Sequence, residues 1–257
     1  LSAYPAVIQS TATGGLWNDA LTWQGNTIPA TTDTVIITGP VNLNLNMSCA
    51  QLEVSENGIL QNHNAGSAKL TINGSVENRG IIRNNGYSLI LYVKGDIRQE
   101  GQWSNFHTLL NGSADQHFWF ASPFSGQYLT KYNFPGNIII HEGFELQNTT
   151  FDVNNDTLVF VEADSFIIHS GSFDQAKIIK DPGFNNGHLT LTMLNGAHFQ
   201  KSIITADTIT LAGTVLFQSA PVTFNGVVVV QGILKNHPAS NYSATINGDL
   251  INQGTVT

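Results

Sequence analysis

Charged residues and cysteine are both scarce in this sequence. Only 11% of its 257 residues are charged, about half the fraction of an average soluble domain. Asn, Thr, Ser and Gly fill the polar positions instead, and they favour turns and pleated strands over exposed helices. The net charge is −8, and no segment gathers basic residues for phosphate binding. The composition therefore favours an all-β fold and argues against a nucleic-acid partner.

The single cysteine, Cys49, excludes an internal disulfide framework and any multi-cysteine metal site. We interpret it as a small core residue; a reactive thiol is the alternative. No apolar run reaches the length of about 18 residues that a membrane span needs. The chain begins at Leu1 rather than Met, which is typical of a mature secreted protein after signal removal, or of a piece of a longer chain.

The sequence repeats itself with a spacing of 21 to 22 residues. The segments Leu70–Gly80, Leu91–Gly101 and Ala244–Gly254 share a short strand, a polar residue followed by Gly, a second short strand and a final Gly. Glycines 226 and 248, like glycines 232 and 254, are also 22 residues apart. A period of this length with two or three short strands indicates one coil of a β-solenoid.

We therefore predict a right-handed parallel β-solenoid with an N-terminal cap. Inward residues such as Ile72 and Ile246 would form an apolar column, and the coil itself would return the chain between parallel strands. Glycine and asparagine would supply positive φ angles at the corners. The alternative is an antiparallel β-sandwich, with the Asn-Gly pairs as hairpin turns. The regular spacing favours the solenoid.

The stretch 14–43 resembles the opening of G8-like modules. Its matching features are Gly15-Leu16-Trp17, Trp23-Gln24-Gly25, Pro29 and the run Asp33–Ile37. Such modules look like solenoid-starting β units of large extracellular proteins, and similar openings occur in bacterial surface proteins exported by type IX secretion. The resemblance implies a secreted or cell-surface protein. We predict a G8-like cap and first coil at 1–45, followed by solenoid repeats at 46–257 with an irregular, aromatic-rich segment at 103–137.

Two further expectations concern the ends of this solenoid. Trp17 and Trp23 would cover the open first coil; stacking on a ligand is the alternative. The chain stops directly after a full repeat, so we expect either a continuation of the polypeptide or a partner at the C-terminal end. The segment 111–116 resembles the Gly-Ser-x-x-Gln step of β-helical adhesin-like proteins of the same secretion class, and 132–140 departs from the strand that follows there by an insertion.

Aromatic residues are concentrated between positions 103 and 134, which hold nine of the chain's 24. Sugar rings stack on exposed aromatic rings, so this segment is the candidate carbohydrate-binding surface. The run 117–120 shows no clean one-face alternation, which favours exposure of some rings; an aromatic stack inside the solenoid is the alternative. The predicted ligand-binding residues are Trp103, Phe118, Trp119, Phe120, Tyr128 and Tyr132.

No metal, cofactor or catalytic residue is predicted. The eight histidines never fall at the paired spacing of a helical zinc site, and the segment 154–156 is too sparse in Asp for calcium. The close acid pairs are Asp152 with Asp156, Glu162 with Asp164, and Glu142 with Glu145, and the basic residues lie apart from one another. A polysaccharide-active enzyme needs such groups clustered.

Three Asp-Thr-aliphatic segments resemble O-glycan acceptors of such secreted bacterial proteins, which makes Thr34, Thr157 and Thr208 candidate glycosylation sites; an ordinary strand start is the alternative. The sequence thus predicts a structural or adhesive segment of a secreted or bacterial cell-surface protein, without catalysis. The predicted partners are a glycan or another cell-surface protein. A carbohydrate-binding module is the second hypothesis and an enzyme the third.

Overall fold

The computed structural model describes residues 5–162, 165–181, 183, 188–194, 196–217, 221–236 and 242–257. Apart from two short 3₁₀ turns, Ala20–Thr22 and Gln24–Asn26, the regular elements of these residues are strands. The pairings between strands are parallel, and the strands stack in about ten coils. The predicted parallel β-solenoid is confirmed, and the antiparallel sandwich is not needed. Within the described ranges, no helix has the length and apolarity to cross a bilayer.

Most coils contribute one strand to each of three parallel faces. Face A contains β1 (Val7–Gln9), β3 (Thr34–Ile37), β6 (Gln51–Val54), β9 (Val76–Asn78), β12 (Ile97–Gln99), β15 (Gln116–Phe120), β17 (Ile138–Ile140), β20 (Thr157–Phe160), β23 (Lys177–Lys180) and β30 (Ala244–Asn247). Face B contains β2 (Gly15–Leu16), β4 (Pro40–Leu43), β7 (Ile59–Asn62), β10 (Ile81–Arg83), β13 (Gln102–Ser104), β18 (Phe144–Leu146), β21 (Ser165–Ile168), β24 (Thr190–Met193) and β31 (Leu250–Asn252). Face C contains β5 (Met47–Cys49), β8 (Ala68–Ile72), β11 (Leu89–Val93), β14 (His107–Leu110), β16 (Tyr128–Lys131), β19 (Thr149–Asp152), β22 (Gly171–Asp174), β25 (Ala197–Gln200), β27 (Thr214–Phe217), β29 (Ile233–Asn236) and β32 (Thr255–Val256).

Three features join the faces into one body. The longer strands β26 (Ile203–Leu211) and β28 (Val222–Val230) run from face A into face B, and their mutual pairing shifts register between Thr205 and Thr208. Phe124 forms single parallel bridges to Trp103 and Leu146, so it connects β13 to β18. Face B is therefore continuous past the segment 105–143, where no longer strand serves it.

The glycines of the repeat lie where successive coils approach most closely. A Cβ atom on Gly101 would lie 2.1 Å from the carbonyl oxygen of Gly80, and one on Gly254 would lie 2.1 Å from that of Gly232. None of these four residues has a positive φ angle. The prediction that repeat glycines supply positive φ is thus wrong for these positions, because coil-to-coil contact is what requires glycine there.

The interior is a single apolar column that changes in character along the axis. Inward positions before residue 110 are mainly Val, Ile and Leu, whereas phenylalanine dominates between Phe118 and Phe224. Phe144 lies 5.2 Å from Phe166, and Phe173 lies 5.5 Å from Phe166, measured between ring centroids. Each buried ring contributes about 1.5–3 kcal/mol by leaving water, and each such pair adds about 0.5–1.5 kcal/mol.

The two tryptophans predicted to form a cap pack together in the first coil. Their ring centroids are 5.1 Å apart in an edge-to-face arrangement, and Trp23 Nε1 donates to the carbonyl of Trp17 at 2.7 Å. Both side chains are buried and belong to the same apolar cluster as the rest of the core. Burial leaves neither ring available for stacking on a ligand, which removes the alternative role considered for them.

The aromatic-rich segment is more regular than predicted, because β13, β14, β15 and β16 all lie within it. Its insertion is the loop 132–137, which turns from face C to face A between β16 and β17. After the loop, Ile138 pairs with Gln116 on one side and Leu158 on the other, so the register of the coil is recovered.

Candidate functional site on the outer faces

The six aromatic residues predicted to bind a ligand divide into two groups. Trp103, Phe118 and Phe120 are buried in the core, with exposures of 0%, 0% and 5%. They cannot form a carbohydrate-binding surface, and this part of the prediction is corrected. Trp119, Tyr128 and Tyr132 retain solvent-accessible surface.

Strict alternation along β15 accounts for this division. Gln116, Phe118 and Phe120 point inward, whereas His117 and Trp119 point outward and are half-buried. The expectation that this run lacks a one-face pattern is wrong, because both faces carry rings and the period of two is therefore invisible in hydrophobicity alone.

Trp119 is enclosed by side chains from the neighbouring coils. The guanidinium carbon of Arg98 lies 5.2 Å from its ring centroid, and the imidazole of His141 stacks on it at 4.5 Å with an interplanar angle of 9°. Since β12 and β17 flank β15 on opposite sides, the two groups cover opposite ring faces. Trp119 therefore presents mainly its edge to solvent, and a sugar has no free ring face on which to stack.

A groove of about 320 Å³ lies beside Trp119 on face A. Its polar lining consists of Thr34, Gln51, Glu53, Ser75, Glu77, Asp96 and Arg98. Arg79 pairs with the carboxylates of Glu53 at 3.3 Å, of Glu77, and of Glu100 at 3.8 Å. The nearby carboxylate of Glu77 raises the pKa of Arg79. The acids are thus already engaged from coil to coil, and exposed pairs of this kind stabilise weakly.

Two histidines on face A share one hydrogen bond. His117 Nδ1 lies 2.7 Å from His141 Nε2, and His141 Nδ1 lies 3.9 Å from the carboxylate of Glu162. Partial burial and then the neighbouring His117 lower the pKa of His141. One ring must donate and the other accept, so the contact requires at least one of the imidazoles to keep an unprotonated nitrogen.

Tyr132 and Tyr128 lie on the side of face C. Tyr132 is 39% exposed and stacks on Tyr92 with centroids 6.3 Å apart, while Lys69 Nζ lies 4.9 Å from the Tyr92 ring. Tyr128 is half-buried against Phe106, 5.4 Å between centroids. Burial and then a hydrogen bond with Tyr92 raise the pKa of Tyr132. Of the predicted residues, Tyr132 has the most accessible ring.

The acid pairs predicted from the sequence engage other partners. Asp156 pairs with the buried Lys131, and Glu145 lies 2.5 Å from His169 Nε2. Asp164 lies outside the described residues. The pairing of β19 with β22 instead places Asp152 beside Asp174. Burial and then the charge of Asp152 raise the pKa of Asp174 to about 6.

The other predicted single residues are placed as follows. Cys49 is fully buried, and burial raises the pKa of its thiol to about 12, as for an unreactive core residue. Within the described ranges, no group of three or more His, Cys, Asp or Glu side chains is arranged to hold a metal ion. His237 lies outside those ranges.

The three candidate glycosylation sites lie on strands, and each preceding aspartate has a structural partner. Thr34 and Thr157 begin β3 and β20, and Thr208 lies within β26. Asp33 accepts hydrogen bonds from the backbone amides of Ala6 and Ala30. Asp207 pairs with Lys180 at 2.9 Å. All three hydroxyls are half-buried. Glycosylation stays a prediction.

Residues that form the outer columns were missed because they are far apart in sequence. Glu77, Arg98, Trp119 and His141 follow one another at 21 or 22 residues, which is the period of the repeat itself. Applying that period to the polar positions would have grouped them. Comparison of the chain with protein-family models, curated proteins and solved structures found no match.

Proposed function

We propose that this chain is a structural and adhesive segment of a secreted or cell-surface bacterial protein, without catalysis. The supporting observation is the parallel pairing that continues from β1 to β32 through the described coils. Outer side chains such as Arg79, Arg98 and His141 contact the next coil, which suits a scaffold that carries load along its axis. The resemblance of 14–43 to G8-like modules supports the proposed location and export by type IX secretion.

The location is tested by labelling intact cells of the source organism with an antibody against this chain. A surface protein is labelled before permeabilisation and is removed by added protease. Labelling that requires permeabilisation would contradict the proposal. Adhesion is tested separately with beads that carry the chain, which should remain on a target cell layer under flow. Beads that carry heat-denatured chain are the control, and equal retention of the two would exclude an adhesive role.

Carbohydrate recognition is a second candidate function, favoured by the accessible Tyr132 ring beside Tyr92 and Lys69. Exposed aromatic rings with nearby hydrogen-bonding groups fit the apolar face and the hydroxyls of a sugar ring. Binding to a panel of soluble polysaccharides, with release of reducing ends measured in the same samples, separates this candidate from an enzyme. A polysaccharide-active enzyme would shorten the polymer, whereas a binding module retains it unchanged.

A further inference from the structure

We propose that the corner between faces C and A, centred on Phe134, binds an extended, uncharged polysaccharide along the solenoid axis. This inference rests on the second candidate function and names its site. The strands of face C end there coil by coil, and backbone hydrogen bonds connect the corner residues: Lys94 donates to Ile72, Asn111 to Val93, and Tyr132 to Leu110. The corner is therefore a line of side chains parallel to the axis.

Phe134 is the exposed ring at the centre of this line. Its side chain is 45% exposed, and it forms part of the wall of two depressions of about 440 Å³ each. Asn73, Lys94 and Asn111 line one depression, and Asn133, Asn154 and Asn155 line the other. An apolar ring with amides on both sides offers stacking at one sugar and hydrogen bonds at the sugars before and after it.

A buried charge fixes the loop that carries Phe134. Lys131 is 1% exposed, and its ammonium donates to the backbone carbonyl of Phe134 at 2.7 Å and pairs with the carboxylate of Asp156. At the other end of the loop, the Asn137 amide donates to Asp115 at 2.7 Å. Burying an ammonium is costly unless it is fully paired. Here it holds an exposed ring in one position, which reduces the ordering cost of binding.

The chemistry of the corner indicates the class of ligand. The carboxylate of Asp156 is paired with Lys131, and the ammonium of Lys94 donates to Asn73 at 2.9 Å. Amides are the main remaining polar groups, and they suit hydroxyls rather than carboxylates or sulfates. Successive coils repeat at about 4.8 Å, which is close to the length of one pyranose unit in an extended chain. A linear neutral glycan can therefore keep in register with the corner.

The test is affinity electrophoresis of the chain in gels that contain hydroxyethyl cellulose, galactomannan, arabinoxylan or, as the charged comparator, polygalacturonate. We expect retardation by at least one neutral polymer and not by polygalacturonate. Phe134→Ala should weaken binding at least about tenfold, while Phe134→Tyr preserves a ring and should retain it. The matched control is Trp119→Ala on face A, which should bind like the wild type. Thermal melting of each variant confirms that it is folded.

The outcomes separate the site from the function. If no neutral polymer retards the wild type, carbohydrate recognition and this site are both rejected. If a polymer binds and Phe134→Ala binds equally well, carbohydrate recognition stands and the corner is the wrong site. Preference for polygalacturonate overturns the uncharged class of ligand. The double variant Lys131→Met with Asp156→Asn removes the buried pair without removing the ring, and wild-type affinity in that variant would contradict the proposed fixing of the loop.

Discussion

The interior of the solenoid and the outer side of face A hold their aromatic rings in different ways. Inside, Phe144 lies 4.9 Å from Phe120 and 5.2 Å from Phe166, so rings pack on rings without water. Outside, Trp119 lies between Arg98 and His141, which both remain hydrated. The geometry of stacking is similar, yet the free energy gained by removing apolar surface from water accrues mainly inside. The residue one coil away decides what each ring contributes.

The sharpest test of this comparison is Phe118→Ala, next to Trp119 on β15. Phe118 is fully buried, with Phe120 at 5.3 Å and Phe144 at 6.4 Å. Loss of its ring leaves a cavity, so we expect the free energy of unfolding to fall by about 3–5 kcal/mol, measured by urea denaturation. Phe134→Ala is the matched control on the surface and should change stability by less than about 0.5 kcal/mol. Equal losses in the two variants would contradict the interior packing.

The next largest effect is expected for Lys131, the buried cation at the end of β16. Lys131→Ala leaves Asp156 without its ammonium partner and the carbonyl of Phe134 without its donor. Breaking a buried pair by removing one partner costs about 3–5 kcal/mol. Because Asp156 retains 29% exposure, we expect a loss of about 2–3 kcal/mol in the same urea assay. Lys94→Ala, an exposed corner lysine, is the control, and a comparable loss there would disprove the special role of burial.

The coil and its faces could be predicted because the repeat is regular where the corners are short. Leu70 pairs with Leu91, and Val76 with Ile97, at the 21-residue spacing read from the sequence. The spacing fails in the middle of the chain because corner loops differ in length, as at 132–137. Such loops add residues without adding strands, so they shift the register in the sequence while the stack continues.

The candidate sites were less predictable, for two physical reasons. Aromatic rings occupy both inward and outward positions of β15, so burial could not be assigned from hydrophobicity. Phe134 follows a lysine by three residues, and nothing local shows that Lys131 is buried beneath it. That contact depends on Asp156, which comes from the next coil. Partners one period away are visible only after the coil boundaries are known.

Outer columns also contain a repulsive contact, which Asp174→Asn should relieve. Asp174 is paired in register with Asp152, and its pKa is raised to about 6 in the fold from an ordinary value of 3.8. The folded state therefore favours the protonated acid, and stability is lost as the pH rises from about 4 to about 6. Since the side chain is partly exposed, we expect the variant to gain about 1 kcal/mol at pH 7 and little at pH 4.

Urea unfolding of Asp174→Asn at both pH values checks this, with Glu56→Gln as an exposed acid control. A gain of the same size at pH 4 and pH 7 would show that repulsion between the two carboxylates is not its source.

The smallest effect is expected for Trp119→Ala, which completes the comparison with Phe118. The variant loses one stacked contact with Arg98 and one with His141, and contacts of this kind at hydrated sites contribute about 0.5–1 kcal/mol each. We therefore expect a loss of about 1 kcal/mol by urea unfolding, well below that of Phe118→Ala. Arg98→Ala should lose less, because the His141 stack remains. A loss at Trp119 as large as that at Phe118 would mean that the outer column supports the coil as strongly as the core, and face A would then have to be regarded as a second packed layer.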